Sequence, residues 1–201
     1  MRRYYPLILL SLLLLSACSE GKLEQHVQQV AEGEVPDSVK VMQLATEILQ
    51  ALDQKDYSAI GDAVGNHGRV RFSPYGMVDS LQNTLTKTEL YSSPQIEMAW
   101  GNFDGSGDPI QLSVDDYFKK FVYNQQYASD PNVQTSCNQP IGSGNSLNNL
   151  KTFYPDHHFV EYYFPGTAEY EHMDWSCLRL VFKKEGDSFL LVGIIHDQWT
   201  I

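Results

Sequence analysis

Phe189-Leu190-Leu191-Val192-Gly193-Ile194-Ile195-His196-Asp197-Gln198-Trp199 is the stretch whose reading decides the fold. Leu190, Val192 and Ile194 fall on one face of a strand, and Leu191 and Ile195 on the other. A strand that is apolar on both faces lies in the middle of its sheet with something packed on each side. Two further strands precede it, His158–Phe164 and Trp175–Lys183, and Glu185-Gly186-Asp187 is a tight turn between the last two. Consecutive strands joined this way predict an antiparallel meander.

Working back from the meander, Ser113 caps a helix whose inner face is Tyr117, Phe118, Phe121 and Val122. Asp104-Gly105-Ser106-Gly107-Asp108-Pro109 is a turn cluster, and the alternation of 95–100 and of Arg69–Phe72 marks two more strands. A short helix follows Thr86, and another starts at the cap Asp56 and stops at Gly65. Asp37 or Ser38 is expected to cap the strongest helix, with Val41, Met42, Ala45, Ile48, Leu49 and Leu52 recurring at steps of three and four. The expected class is α+β, an antiparallel sheet packed with about three helices in one domain over residues 38–201. The Gly, Ser and Asn of 137–149 read as a loop.

The chain starts with Met1-Arg2-Arg3, an apolar run from Pro6 to Leu15, and then Leu15-Ser16-Ala17-Cys18. The run is too short to span a bilayer and long enough for a signal segment. The last four residues resemble the lipobox of bacterial lipoproteins. That resemblance implies a signal peptide over 1–17, lipidation (a palmitate-type anchor) at Cys18, a tether over 18–37, and attachment to the cell envelope. With Ser19 after the cysteine, the periplasmic face of the outer membrane is the implied destination in a Gram-negative host. Two or three acyl chains make a stable anchor, at about 0.8 kcal/mol per buried methylene.

The formal charge is −11, and loss of Arg2 and Arg3 with the signal makes it −13. A chain this acidic, without a Lys/Arg-rich run, is not built for nucleic acid, and an anionic membrane surface would repel it. The membrane is therefore a partner only through the lipid. Of the three cysteines, Cys137 and Cys177 remain as an even pair in an exported protein. They are expected to form a disulfide bond worth roughly 3–4 kcal/mol on the chain-entropy account.

The order of helix, helix, strand, strand, helix and antiparallel strands resembles the nuclear-transport-factor-2-like superfamily, which includes ketosteroid isomerase and the SnoaL-type polyketide cyclases. Within it, 70–75, 102–107 and 195–201 are similar to a group of bacterial lipoproteins. The resemblance implies a cone in which a curved sheet and helices enclose an apolar cavity open at one end. The isomerase arrangement of an Asp base on an early strand and a Tyr on the first helix is missing: Arg69–Phe72 carries no acid and the first helix no Tyr.

Chemistry-bearing residues are few. His157 and Glu161 share a strand face about 13 Å apart, too far for one metal ion. His172 and Asp174 read as a solvated turn, and Asp104, Ser106, Asp108 and Asp115 have calcium-loop spacing, but Pro109 stands where the sharp turn needs Gly. No hydrolase elbow, zinc-protease motif or phosphate loop is present. His196 and Asp197 point to opposite faces of their strand and cannot form a dyad with each other. Arg69 and Arg71 are expected in ion pairs. No catalytic residue, metal or cofactor is assigned, and the pocket candidates are Arg71, Tyr117, Tyr162, His196 and Asp197. The expected function is a non-catalytic, lipid-anchored envelope protein binding a small apolar ligand or a protein partner, with a homodimer through the outer sheet face as a further possibility. The alternative is a cofactor-independent isomerase, dehydratase or cyclase using His196 or a pocket Tyr.

Overall fold

The computed structural model describes residues 34–92, 94–142 and 147–200; the Leu15–Cys18 motif and most of the tether lie outside them. Helix α1 (Asp37–Asp53) starts after Pro36 with no side-chain cap, so Asp37 and Ser38 lie within it and do not cap it, and it buries Val41, Ala45, Ile48, Leu49 and Leu52, the face given by the periodicity. The Asp56 carboxylate accepts from Ser58 N and Ala59 N to start α2 (Tyr57–Val64), and Gly65, at φ 79°, ends it. Strand β1 (Val70–Ser73), the short β2 (Thr84–Leu85) and α3 (Lys87–Ser92) follow. Strands β3 (Glu97–Asn102) and β4 (Pro109–Ser113) form a separate hairpin around the 104–108 turn. Ser113 caps α4 (Val114–Tyr117), which runs on into a wider π-type turn, Phe118–Val122. Then come β5 (Gln134–Cys137), the one-turn α5 (Leu150–Phe153), β6 (His158–Phe164), β7 (Ser176–Glu185) and β8 (Ser188–Gln198).

The main sheet runs β2-β1-β8-β7-β6-β5. Its pairs are antiparallel apart from β1 with β8, which are parallel through Phe72 and Ile194. Strand β8 is central and covered on both faces. One face carries the large core of Phe72, Leu178, Leu180, Phe182, Leu191 and Ile194 under the helices. The other carries Phe159, Val181 and Ile195, covered by Val78, Leu150 and Tyr154. That outer face, the surface expected for a homodimer, is thus lined over these strands by the chain's own segment.

Three further expectations are corrected. The register slips at Val192, because Leu191 pairs with Phe182 and Gly193 with Val181. This bulge puts Leu191 and Ile194 on the same core face and Val192 with Ile195 outside. Part of the 137–149 stretch is not loop, because Cys137 belongs to β5. Cys137 and Cys177 are free thiols. Cys137 pairs with Val160 on the core face, whereas Cys177 pairs with Tyr163 and Asp197 on the outer face, with β6 between them. Two strand spacings and three residues of offset separate their Cα atoms by roughly 14 Å, twice the reach of a disulfide.

Candidate ligand cleft

Residues 74–83, between β1 and β2, are shaped by three side chains. Ser73 Oγ donates to Tyr75 O or Met77 O (2.6 and 2.9 Å), and Gln82 Nε2 reaches Ser73 Oγ and Met77 O. Arg71 donates to the carbonyls of Asp79, Ser80 and Gln82, so its charge holds this loop closed from the outer face. Opposite stands the β3–β4 hairpin, joined to the loop by Asn83 Nδ2 to Ala99 O (2.5 Å) and Asp104 N to Tyr75 Oη (3.1 Å).

Between loop and hairpin lies a cleft of about 530 Å³, lined by Pro74, Tyr75, Met77, Gln82, Trp100 and Thr200 among others. A smaller hollow of about 270 Å³ shares Gln82, Trp100 and Gly101 with it and extends past Leu81. Leu81 is 90% exposed, Leu147 76% and Met77 49%. Exposed Met77 and Leu147 therefore edge the cleft and Leu81 the hollow beside it, with the rings of Tyr75 and Trp100 and the polar side chains of Gln82, Asn102 and Asp104 completing the cleft's lining, the mix of apolar and polar groups common in small-molecule sites.

Beneath the floor is an aromatic cluster. Trp100 stacks on Tyr117 at 4.0 Å between centroids, and its Nε1 donates to Leu112 O. Tyr75 packs on Phe121, which also touches Tyr117 and His196. His196 donates from Nδ1 to Pro74 O at 2.9 Å, since a carbonyl can only accept. Its other nitrogen, Nε2, therefore carries a lone pair, and it has no partner among the described residues, nor has the Tyr117 hydroxyl. Burial holds the imidazole at about 4, so it is neutral at ordinary pH, and burial pushes the Tyr117 phenol well up.

On the other face, Asp197 enters a buried charge network. Arg179 donates Nε to Glu161 Oε2 (2.6 Å), one terminal nitrogen to Asp197 Oδ2 (3.2 Å) and the other to Gly142 O (3.2 Å). Ile141 N and Gly142 N cover Glu161 Oε1. Arg179 and Asp197 line a hollow of about 300 Å³ with residues 140–142 and with Asn148, Leu150, Lys151 and Thr152. A Cβ on Gly76 would stand 2.6 Å from Asp197 Oδ2, so the cleft loop rests on this carboxylate from outside.

The five pocket candidates thus divide. Tyr117, Tyr162 and His196 face the main core, with Tyr162 and His196 flanking Leu178 across the sheet. Arg71 and Asp197 lie on the outer face, so a single pocket containing all five is corrected. Burial pushes the Tyr162 phenol up to about 12. Arg69 pairs with Glu89 at 3.1 Å as expected, whereas Arg71 binds carbonyls instead. Asp115, the last residue of the calcium spacing, accepts from Tyr57 Oη and Lys55 Nζ; Asp174 accepts from the Thr167 backbone and hydroxyl. Among the described residues no cluster of three His, Cys, Asp or Glu is arranged for a metal, and no helix is long and apolar enough to cross a membrane.

Sequence reasoning missed Tyr75 and Trp100 as cleft walls and Glu161 and Arg179 as a pair. The second was signalled by Val160-Glu161-Tyr162 and Leu178-Arg179-Leu180, charges set inside strands that are otherwise apolar on both sides. Compared with known proteins, the chain matches no family model, no curated protein and no solved structure.

Proposed function

We propose that this chain is a non-catalytic, lipid-anchored protein of a bacterial cell envelope that holds a small apolar ligand in the cleft between the 74–83 loop and the β3–β4 hairpin. The lipobox-like Leu15–Cys18 supports the anchor, and the order of elements supports a cone-like relative of the nuclear-transport-factor-2 superfamily. The observation that carries the binding reading is the cleft of about 530 Å³, walled by Tyr75 and Trp100 and edged by exposed Met77 and Leu147, with exposed Leu81 on the adjoining hollow. Catalysis by His196 is disfavoured: a general base works best with a pKa near the operating pH, and burial holds His196 at about 4.

Native mass spectrometry of the full chain purified from its own envelope tests this. Wild type is expected to retain an apolar molecule that the double variant Met77→Asp, Leu81→Asp loses. Equal retention by both proteins, or a wild type that carries nothing and takes up no 2-naphthol, contradicts the reading.

A further inference from the structure

Of the described residues that line the cleft, Asp104 alone carries a charge. It opens the turn between β3 and β4, and its backbone N–H donates to Tyr75 Oη at 3.1 Å, which fixes it against the opposite wall. Its side chain is exposed, and its carboxylate has no ion pair or hydrogen-bond donor among the described residues. Burial pushes the Tyr75 phenol up and the Asp104 charge adds to the push, so the carboxylate and the hydroxyl are neighbours on the cleft wall. The adjoining hollow repeats the sign: Asp79 is in its lining, and neither Lys nor Arg is. Lys120 stands over the rings of Phe103 and Phe121, at 5.4 and 5.7 Å from their centroids, outside the lining of both. Other polar groups of the lining are engaged within the chain. Gln82 donates to Ser73 Oγ and Met77 O and accepts from Asp79 N, and Trp100 Nε1 donates to Leu112 O.

We propose that the cleft takes an apolar molecule ending in a cation, a protonated amine on a hydrocarbon or ring body, with the body against Tyr75, Met77 and Leu147 and the amine at Asp104. This rests on the binding reading above and adds the ligand's chemical class to it. An ammonium there meets a carboxylate that no side chain of the lining neutralises, beside an aromatic ring whose face attracts cations. A carboxylate ligand would be repelled by Asp104 and by a chain of formal charge −11. Because Asp104 is exposed, the gain is modest and salt screens it.

The test compares 2-naphthylmethylamine, protonated at neutral pH, with 2-naphthylmethanol and 2-naphthoate, on the full chain in nanodiscs of zwitterionic lipid with empty nanodiscs as the blank. Wild type is expected to bind the amine about fivefold more tightly than the alcohol, the carboxylate least, and to lose the difference at high salt. Asp104→Asn should abolish the preference at an unchanged melting temperature, since the carboxylate has no partner to lose, and Asp104→Lys should turn it toward 2-naphthoate. Asp108→Asn is the control: it removes the same charge from the same turn, lies outside the cleft lining and should leave the preference intact. Equal binding of amine and alcohol by wild type overturns the inference and leaves the cleft standing as an apolar site, and tighter binding of 2-naphthoate overturns it in favour of Lys120. An Asp104→Asn protein that keeps the preference, or an Asp108→Asn protein that loses it equally, also overturns it, because the chain's overall charge would then be the cause. Binding of none of the three probes overturns the binding reading, and the inference with it.

Discussion

His196 reaches Pro74 across the core face of β8, at 2.9 Å from Nδ1 to the carbonyl oxygen, while the next residue, Asp197, supports Gly76 from the outer face. Two neighbours in sequence thus grip both sides of the loop that walls the cleft. Because successive strand residues point to opposite faces, one dipeptide can do this only at a strand covered on both sides.

The burial of His196 makes stability depend on pH in a defined direction. Burial lowers its pKa from 6.5 to about 4 in the folded chain. Between those values the unfolded chain binds a proton that the folded one does not, so this contribution is complete above pH 6.5, falls as pH drops toward 4, and is level below. The loss is on the order of 3 kcal/mol. His196→Gln keeps a donor for Pro74, costs about 1 kcal/mol at pH 7.5 and removes the slope. Urea unfolding should therefore find the variant less stable at pH 7.5 and more stable at pH 4; parallel curves would refute the assignment.

Breaking the Arg179 network should be far more costly. Arg179→Met removes the cation between the Glu161 and Asp197 carboxylates, which have 0–2% side-chain exposure, a change that costs about 3–5 kcal/mol in buried pairs. A loss under 1 kcal/mol in denaturant midpoint analysis would mean that the network is open to water.

The thiols should behave as two independent groups. Burial raises both, Cys177 well above its ordinary value. A maleimide should label half-buried Cys137 in the folded protein and Cys177 only after unfolding, and reductant should leave the melting temperature unchanged. A melting point that falls on reduction would restore the disulfide.

Gly76→Ala should strain the cleft from behind, since its Cβ meets the Asp197 carboxylate at 2.6 Å. The expected cost is about 1–3 kcal/mol, with weaker 2-naphthol binding, and an unchanged melting temperature would show that the loop can move away freely.

The helices α1 and α2, the Ser113 cap, the 104–108 turn and the three-strand meander were legible because each rests on local pattern: apolar spacing, a capping side chain, a turn cluster. The parallel pairing of β1 with β8 was not, since residues more than a hundred positions apart carry no local signal of their contact. The bulge at Val192 hid behind an apolar run in which either register looks equally good. The disulfide failed for a related reason, because counting cysteines says nothing of which face of a sheet each occupies. Part of the site could be read: His196 and Tyr117 were singled out. Its walls could not, since Tyr75 and Trp100 become neighbours only when the hairpin folds against the loop.

Hydrogen exchange with mass spectrometry on the full chain in nanodiscs, with and without 2-naphthol, tests the central claim most directly. Binding in the cleft predicts slowed exchange in peptides covering 74–83 and 99–104, with little change elsewhere. Protection absent from those two segments, or confined to the hollow between α1 and α2 lined by Leu44, Ala51, Ala59 and Phe189, would contradict it.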